Sequence, residues 1–277
     1  MDPTNILTMA TKEIKDAAGN RWFILFTAAF STLAAALGAF AVTGTSFAGV
    51  SVFGRTAASL INLTLLFVPL ISLTVGALSI ASERESGTLS YLLSHPITRT
   101  ELFLGKFLGL FAATSLSIVL GFGLAGILIS LKAGTADMSS YVTTILVSIL
   151  LAASMLSLGL LVSASSGNGA KATAVALFLW LAVTLLGDLG ILGATVAFQL
   201  GPKGVFTLTL LNPAAAFKIA ATITLSHRYD VLGPVGTYMV SVFGPTEAFA
   251  VLVASLAAWT VVPLGAAMAL FMMRKEP

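Results

Sequence analysis

Seven consecutive residues, Glu83-Arg84-Glu85-Ser86-Gly87-Thr88-Leu89, open a polar stretch that continues through His95-Pro96-Ile97-Thr98-Arg99-Thr100-Glu101 to Lys106. The 277-residue chain has only fourteen Lys and Arg and eleven Asp and Glu, and six of these charges fall here. Alternating carboxylates and guanidinium groups make directional ion pairs with another protein surface. Gly87 among them would let a partner backbone come close. The chemistry on offer is recognition. No Ser-His-Asp order, His-Glu-x-x-His or paired intramembrane acids point to an enzyme.

Other residues with chemical potential are sparse. Asp188 is the one ionisable residue inside an apolar run, Leu185-Leu186-Gly187-Asp188-Leu189-Gly190. An acid at membrane depth is costly and is a candidate for a cargo, proton or helix-pairing role. The competing reading puts it near the outer end of its helix, where the glycines admit water. Gly105-x-x-x-Gly109 and Gly187, Gly190 and Gly193 suit close helix packing, within one chain or between copies. His95 and His227 are far apart, cysteine is absent, and the eight methionines do not cluster into a copper relay, so no metal site is expected.

The elements that must carry these residues are membrane helices. With 57% hydrophobic and 9% charged residues and a mean hydropathy of +1.02, the chain lacks the roughly 25% charged residues of a soluble domain. The expected class is an all-α polytopic membrane protein, a single transmembrane domain over 1–277 with no cleaved signal peptide. Intervals without charge, or in the fifth case with Asp188 alone, place six spans at 22–43, 57–80, 106–131, 141–163, 172–198 and 248–272. Lys12, Lys15, Arg21, Arg84, Arg99, Lys106, Lys171, Arg274 and Lys275 then lie on one side. Arg55, Lys132, Lys203, Lys218 and Arg228 lie on the other. The positive-inside rule makes the richer side cytoplasmic, with both termini there.

Three segments are expected to be helical without spanning. Asp2-Pro3 reads as an N-cap and first helical residue. Ile6, Leu7, Ala10, Ile14 and Ala17 form an apolar stripe, with Lys12, Glu13, Lys15 and Asp16 off it. Gly19-Asn20 is the stop, and Arg21-Trp22 an elbow into the first span. The segment 1–20 is therefore expected to lie along the membrane surface. Within the polar region, 82–105, Glu83 to Ser94 reads as one short helix with Leu89, Leu92 and Leu93 on a face. Pro96 ends it, and Thr98-x-x-Glu101 is a capping box for the next helix. The external loop 199–246 holds a helix after Asn212-Pro213 that is too short to cross, external or re-entrant.

The order of residues in the polar region resembles the signature of ABC transporter permeases of the type-2 exporter class. Ala10-Thr11-Lys12-Glu13-Ile14-Lys15-Asp16, with Asn20-Arg21-Trp22, is similar to the interfacial helix and elbow of that class, and Leu210-Leu211-Asn212-Pro213 also fits. Within the class the chain looks most like the permease that works with an ATPase and a periplasmic protein in copper-site maturation of nitrous oxide reductase. The resemblance implies that Glu83, Arg84, Glu85, Gly87, Thr88 and Leu89 meet an ATPase subunit, with Arg99 and Lys106 anchoring the turn. It implies Lys12, Glu13 and Arg21 in the interfacial helix and elbow, two copies of the permease, and two ATPase subunits that bind ATP and Mg. The chain lacks a Gly-x-x-x-x-Gly-Lys-Ser/Thr phosphate loop, so no cofactor is expected in it and hydrolysis falls to the separate subunit. Two other readings stand beside this one. The chain could be a secondary transporter or channel using Asp188, or a membrane scaffold for a periplasmic partner.

Overall fold

A computed structural model describes residues 2–43, 52–133, 138–226 and 229–274. His227, Arg228, Asp137 and Lys275 lie outside these residues. Among them the fold is all-helical, without strands. The elements are α1 (Pro3–Gly19), α2 (Arg21–Thr43), α3 (Val52–Glu85), α4 (Thr88–Leu93), α5 (Arg99–Ala133), α6 (Met138–Ser165) and α7 (Gly169–Leu181). A π-helical turn over Ala182–Leu186 joins α7 to α8 (Gly187–Ala197). There follow α9 (Pro202–Leu210), α10 (Pro213–Ser226), a 3-10 turn at Asp230–Leu232, α11 (Pro234–Phe243) and α12 (Pro245–Met273).

Six helical stretches among the described residues are long and apolar enough to cross a membrane, and all six sit where the charge pattern puts them. The α9–α10 pair would be a seventh only if it counted as one span, yet its axes bend by 112°. A bend beyond a right angle turns α10 back toward α9, as in a hairpin. Asn212 stabilises the turn: its Oδ1 accepts the Ala214 amide at 2.9 Å, and its Nδ2 donates to the Val183 carbonyl at 2.9 Å. That carbonyl lies in the π-helical turn, where the i→i−4 ladder is interrupted. Gly187 leaves room for the Asn212 side chain, which a Cβ there would strike. The sequence placed this helix outside or in a hairpin; it packs into the bundle, with Ala216, Phe217, Ala220 and Ala221 fully buried.

The core centres on α6, which α3 and α12 flank. Its buried hydroxyls turn back on their own helix. Ser148, Ser154 and Ser157 donate to the Thr144, Leu151 and Ala153 carbonyls at 2.7–2.8 Å, so polar residues enter the apolar core already satisfied. The main cluster includes Phe30, Phe122, Leu151, Met155 and Phe217. A second one joins Met9, Ile80, Leu89, Leu102, Phe103 and Phe271 at one end of the bundle. By contrast, the α7–α8 span buries few residues completely, Ala172 and Ala176 among them.

Both chain ends gather at the end that holds the second cluster. Glu101, at the start of α5, accepts the Asp2 amide at 2.6 Å, and Arg99 donates to the Arg274 carbonyl at 2.6 Å. The α3–α4–α5 and α6–α7 connections share this end, as shown by the reach of Arg84 and Glu85 to Ser166 and Gly169.

Candidate functional site

The polar end is built from helix termini. α1 begins as expected, with Asp2 Oδ1 accepting the Thr4 amide at 2.9 Å and Pro3 in the first turn. The Thr4 hydroxyl and amide hold the Asp2 carboxyl below its ordinary range. The elbow lies at Asn20, one residue before the expected position. Asn20 leaves the helix in an extended conformation, and its Oδ1 takes the Trp22 amide at 2.9 Å, so it ends α1 and starts α2. Arg21 follows, exposed to solvent.

The face α1 buries differs from the expected stripe. Met9, Glu13 and Ala17 turn inward, while Leu7 and Ile14 are exposed. α1 lies on α5, and Gly105 and Gly109 make that contact possible. A Cβ on Gly109 would come within 2.5 Å of the Ala10 carbonyl oxygen, and one on Gly105 within 2.5 Å of Met9 Cβ. The Gly105-x-x-x-Gly109 pair is thus consumed within the chain by the N-terminal helix.

Close approach delivers Glu13 to Lys106. The Lys106 ammonium is 0% exposed and lies 2.7 Å from Glu13 Oε1 and 2.8 Å from Glu83 Oε1. It also donates to the Ser79 carbonyl at 3.3 Å. Lys12 closes the group, 2.9 Å from the same Glu83 oxygen and 3.2 Å from Asp16 Oδ2. Partial burial pulls the Lys12 pKa down, but the hydrogen bond to Glu83 and the charges of Glu13 and Glu83 outweigh it and leave it raised. Two ammonium groups therefore meet the carboxylates of Glu13 and Glu83 where α1, α3 and α5 come together, with the more exposed Asp16 at the edge. Glu83 Oε2 is buried without a hydrogen-bond partner among the described residues. Breaking such a group from one side strands a buried charge, which costs more than the group gains when whole.

The neighbouring charges cap helices. Arg84 donates to the Ser166 and Ser163 carbonyls at 2.6 and 3.3 Å, and Arg274 donates to those of Ala164 and Ser166 at 2.9 and 3.2 Å. Both place positive charge on the negative C-terminal end of α6. Glu85 Oε2 accepts the Gly169 amide at 2.9 Å, a carboxylate on the positive N-terminal end of α7. Arg99 donates to the Phe271 and Arg274 carbonyls at the end of α12 and lies 6.0 Å from the Phe271 ring centre.

The expected single helix over Glu83–Ser94 is broken. α3 runs to Glu85, Gly87 takes φ = +75°, and α4 starts at Thr88. Gly87 is needed for that left-handed conformation; the space around it is open, so close approach is no part of its role within the chain. Leu89 is buried in the second cluster, with Leu92 and Leu93 packed beside it. The capping box forms: the Thr98 amide donates to Glu101 Oε2 at 3.0 Å and the Glu101 amide to Thr98 Oγ1 at 3.3 Å. What this end turns to solvent is Glu85, Ser86, Gly87, Thr88, Ser90, Tyr91, Ser94, His95, Pro96 and Thr98. Tyr91 meets the His95 ring edge-on at 4.9 Å. The sequence had pointed to Gly87 and Thr88 along with the charges, while Ser86, Ser90, Tyr91, Ser94 and His95 were missed. Their signal was the complement of the Leu89-Leu92-Leu93 face.

Asp188 lies far from this end and pairs with Lys218 of α10, 2.7 Å away. Among the described residues no cluster of three or more His, Cys, Asp or Glu is placed to hold a metal.

At the polar end a short helix is anchored from behind by leucines, and charges tie together the ends of five membrane helices around it. Residues 7–275 match the family described as ABC-2 family transporter protein. The chain is 31% identical over 278 residues to a probable ABC transporter permease protein NosY of Pseudomonas aeruginosa, covering 98% of each. It is 29% identical over 275 residues to a protein of the same name from Stutzerimonas stutzeri, covering 97% of this chain and 98% of that one. ABC permeases pair with ATPase subunits and do not hydrolyse ATP themselves. The chain belongs to the ABC-2 family of transporter permeases.

Proposed function

We propose that two copies of this multi-pass permease join two ATPase subunits at the polar end, which faces the cytoplasm, and that ATP hydrolysis there drives transport or mechanical transmission across the bilayer. The observation that carries this reading is the division of labour around α4. Leu89 and the Lys12–Glu13–Glu83–Lys106 group fix α4 and its neighbours to the bundle, while Thr88, Tyr91 and His95 stay outside for a partner. Lys12, Lys15, Arg21, Lys171 and Arg274 at the same end support a cytoplasmic orientation. The likeness to the two proteins named NosY supports the finer reading, that the work serves copper-site maturation of nitrous oxide reductase together with a periplasmic partner.

In this account Gly87 and Thr88 belong to the ATPase contact, with Glu85 at its edge. Glu83, Arg84, Arg99 and Lys106 act behind it as positioning residues that carry displacement into α3, α5, α6 and α12. The Glu83→Gln/Glu85→Gln double variant tests this. It should still fold and bind ATPase subunits but lose most of the ATPase activity that depends on assembly. Full assembly with full coupled activity would refute the role.

A further inference from the structure

Asp188 and Lys218 form a charged pair whose depth and exposure are at odds. The pair is closed at 2.7 Å, yet the two side chains are 45% and 44% exposed. Asp188 does not mark the end of its helix. Beyond it α8 continues to Ala197, about 14 Å further at 1.5 Å per residue, without another charge and with Leu189, Leu192, Val196 and Phe198 turned outward. With the inner boundary at Lys171, Asp188 falls about 25 Å along the span, about one helical turn inside the outer edge of a hydrocarbon core about 30 Å thick.

A half-exposed ion pair at that depth cannot face acyl chains without a large cost. The distribution of residues along the span fits a different neighbour. Its fully exposed positions, such as Leu185, Leu189, Leu192 and Val196, are apolar, whereas Thr184, Asp188 and Thr195 all lie on the half-covered part. The α9–α10 hairpin supplies the other wall, since Asn212 at its tip is bonded to the Val183 carbonyl just below Asp188. A hairpin entering the membrane brings backbone that is tolerated where it is buried or lines water.

We infer that Asp188 and Lys218 line a water-accessible crevice in the outer half of the membrane, a site for a small hydrophilic solute that carries charge. The contact between them uses Asp188 Oδ2 and one ammonium hydrogen. Asp188 Oδ1 and two ammonium hydrogens have no partner among the described residues and can meet a ligand that offers both donors and acceptors. The inference is independent of where the ATPase docks.

The chain has no cysteine, so a single introduced thiol reports alone. Thr184→Cys lies one turn deeper than Asp188 and leaves the pair intact. In the assembled complex in membranes, a membrane-impermeant methanethiosulfonate reagent added from the outer side should modify Thr184→Cys at least tenfold faster than Leu192→Cys on the apolar face. Asp188→Cys should react as well. Reaction at Asp188→Cys without reaction at Thr184→Cys would mean an outer boundary and overturn the crevice. So would a Thr184→Cys rate no higher than that of Leu192→Cys.

Discussion

Lys106 shows how this molecule uses a charge inside an apolar chain. Its ammonium is fully buried at the crossing of three helices, and two carboxylates from two other elements meet it. Lys106→Met would leave Glu13 and Glu83 with only Lys12 between them. The expected loss is about 3–5 kcal/mol, read as a lower thermal midpoint of the purified protein. Removing Glu13 as well, in Lys106→Met/Glu13→Leu, leaves Lys12 and Glu83 paired and should recover most of that loss. A double variant no better than the single one would show that Glu13 is not the partner that matters. The resemblance had marked Lys106 and Arg99; the structure puts Lys106 in this group and Arg99 on the end of α12. The burial of Glu13 was not legible, because helical periodicity groups residues by apolarity and sets a carboxylate on the outer face. Only the paired glycines of α5 explain why the buried face of α1 includes an acid. The bonds of Arg84 and Glu85 to other helices were hidden for a related reason: the helix ends they cap, at Ser166 and Gly169, are some eighty residues away in sequence.

The elements themselves were largely written in the charge pattern. A run without charge long enough to cross the bilayer has little choice but to be a helix, since only a helix satisfies its own backbone there. Caps at Asp2, Thr98–Glu101 and Asn212–Pro213 were readable because each is a local bond between neighbours. The break at Gly87 was harder to see, because Glu83–Ser94 has a continuous helical face and a single glycine is tolerated within one. The packing of α10 into the bundle was also unreadable, since it depends on the Val183 carbonyl that the π-helical turn presents to Asn212. The packing of α1 on α5 yields a prediction at this scale. Gly109→Leu would drive a side chain into the Ala10 backbone and lift α1 from the bundle. Limited proteolysis should then cleave within Pro3–Gly19 several-fold faster than in the parent protein, while the six spans stay protected. Unchanged cleavage would mean that α1 is held by other contacts.

As a whole, the molecule has two unlike ends. At the polar end, arginines and carboxylates tie the ends of α3, α5, α6, α7 and α12 into one block, with α4 in front of it. The α7–α8 span packs on α3 through Ala172, Ala176 and the Trp180 bond to the Leu66 carbonyl, and toward the opposite end it is tied to α10 through Asn212 and the Asp188–Lys218 pair. A push on α4 therefore enters a stiff block and reaches α7 through Glu85 and the short α6–α7 turn. The central claim is that α4 is where the ATPase pushes. A photoactivatable cross-linking residue in place of Tyr91, in the assembled complex, tests it directly. The account predicts a covalent adduct with the ATPase subunit from position 91 and none from the same group at Val242 in α11, exposed elsewhere on the chain. An ATPase adduct from position 242 with none from position 91 would contradict it.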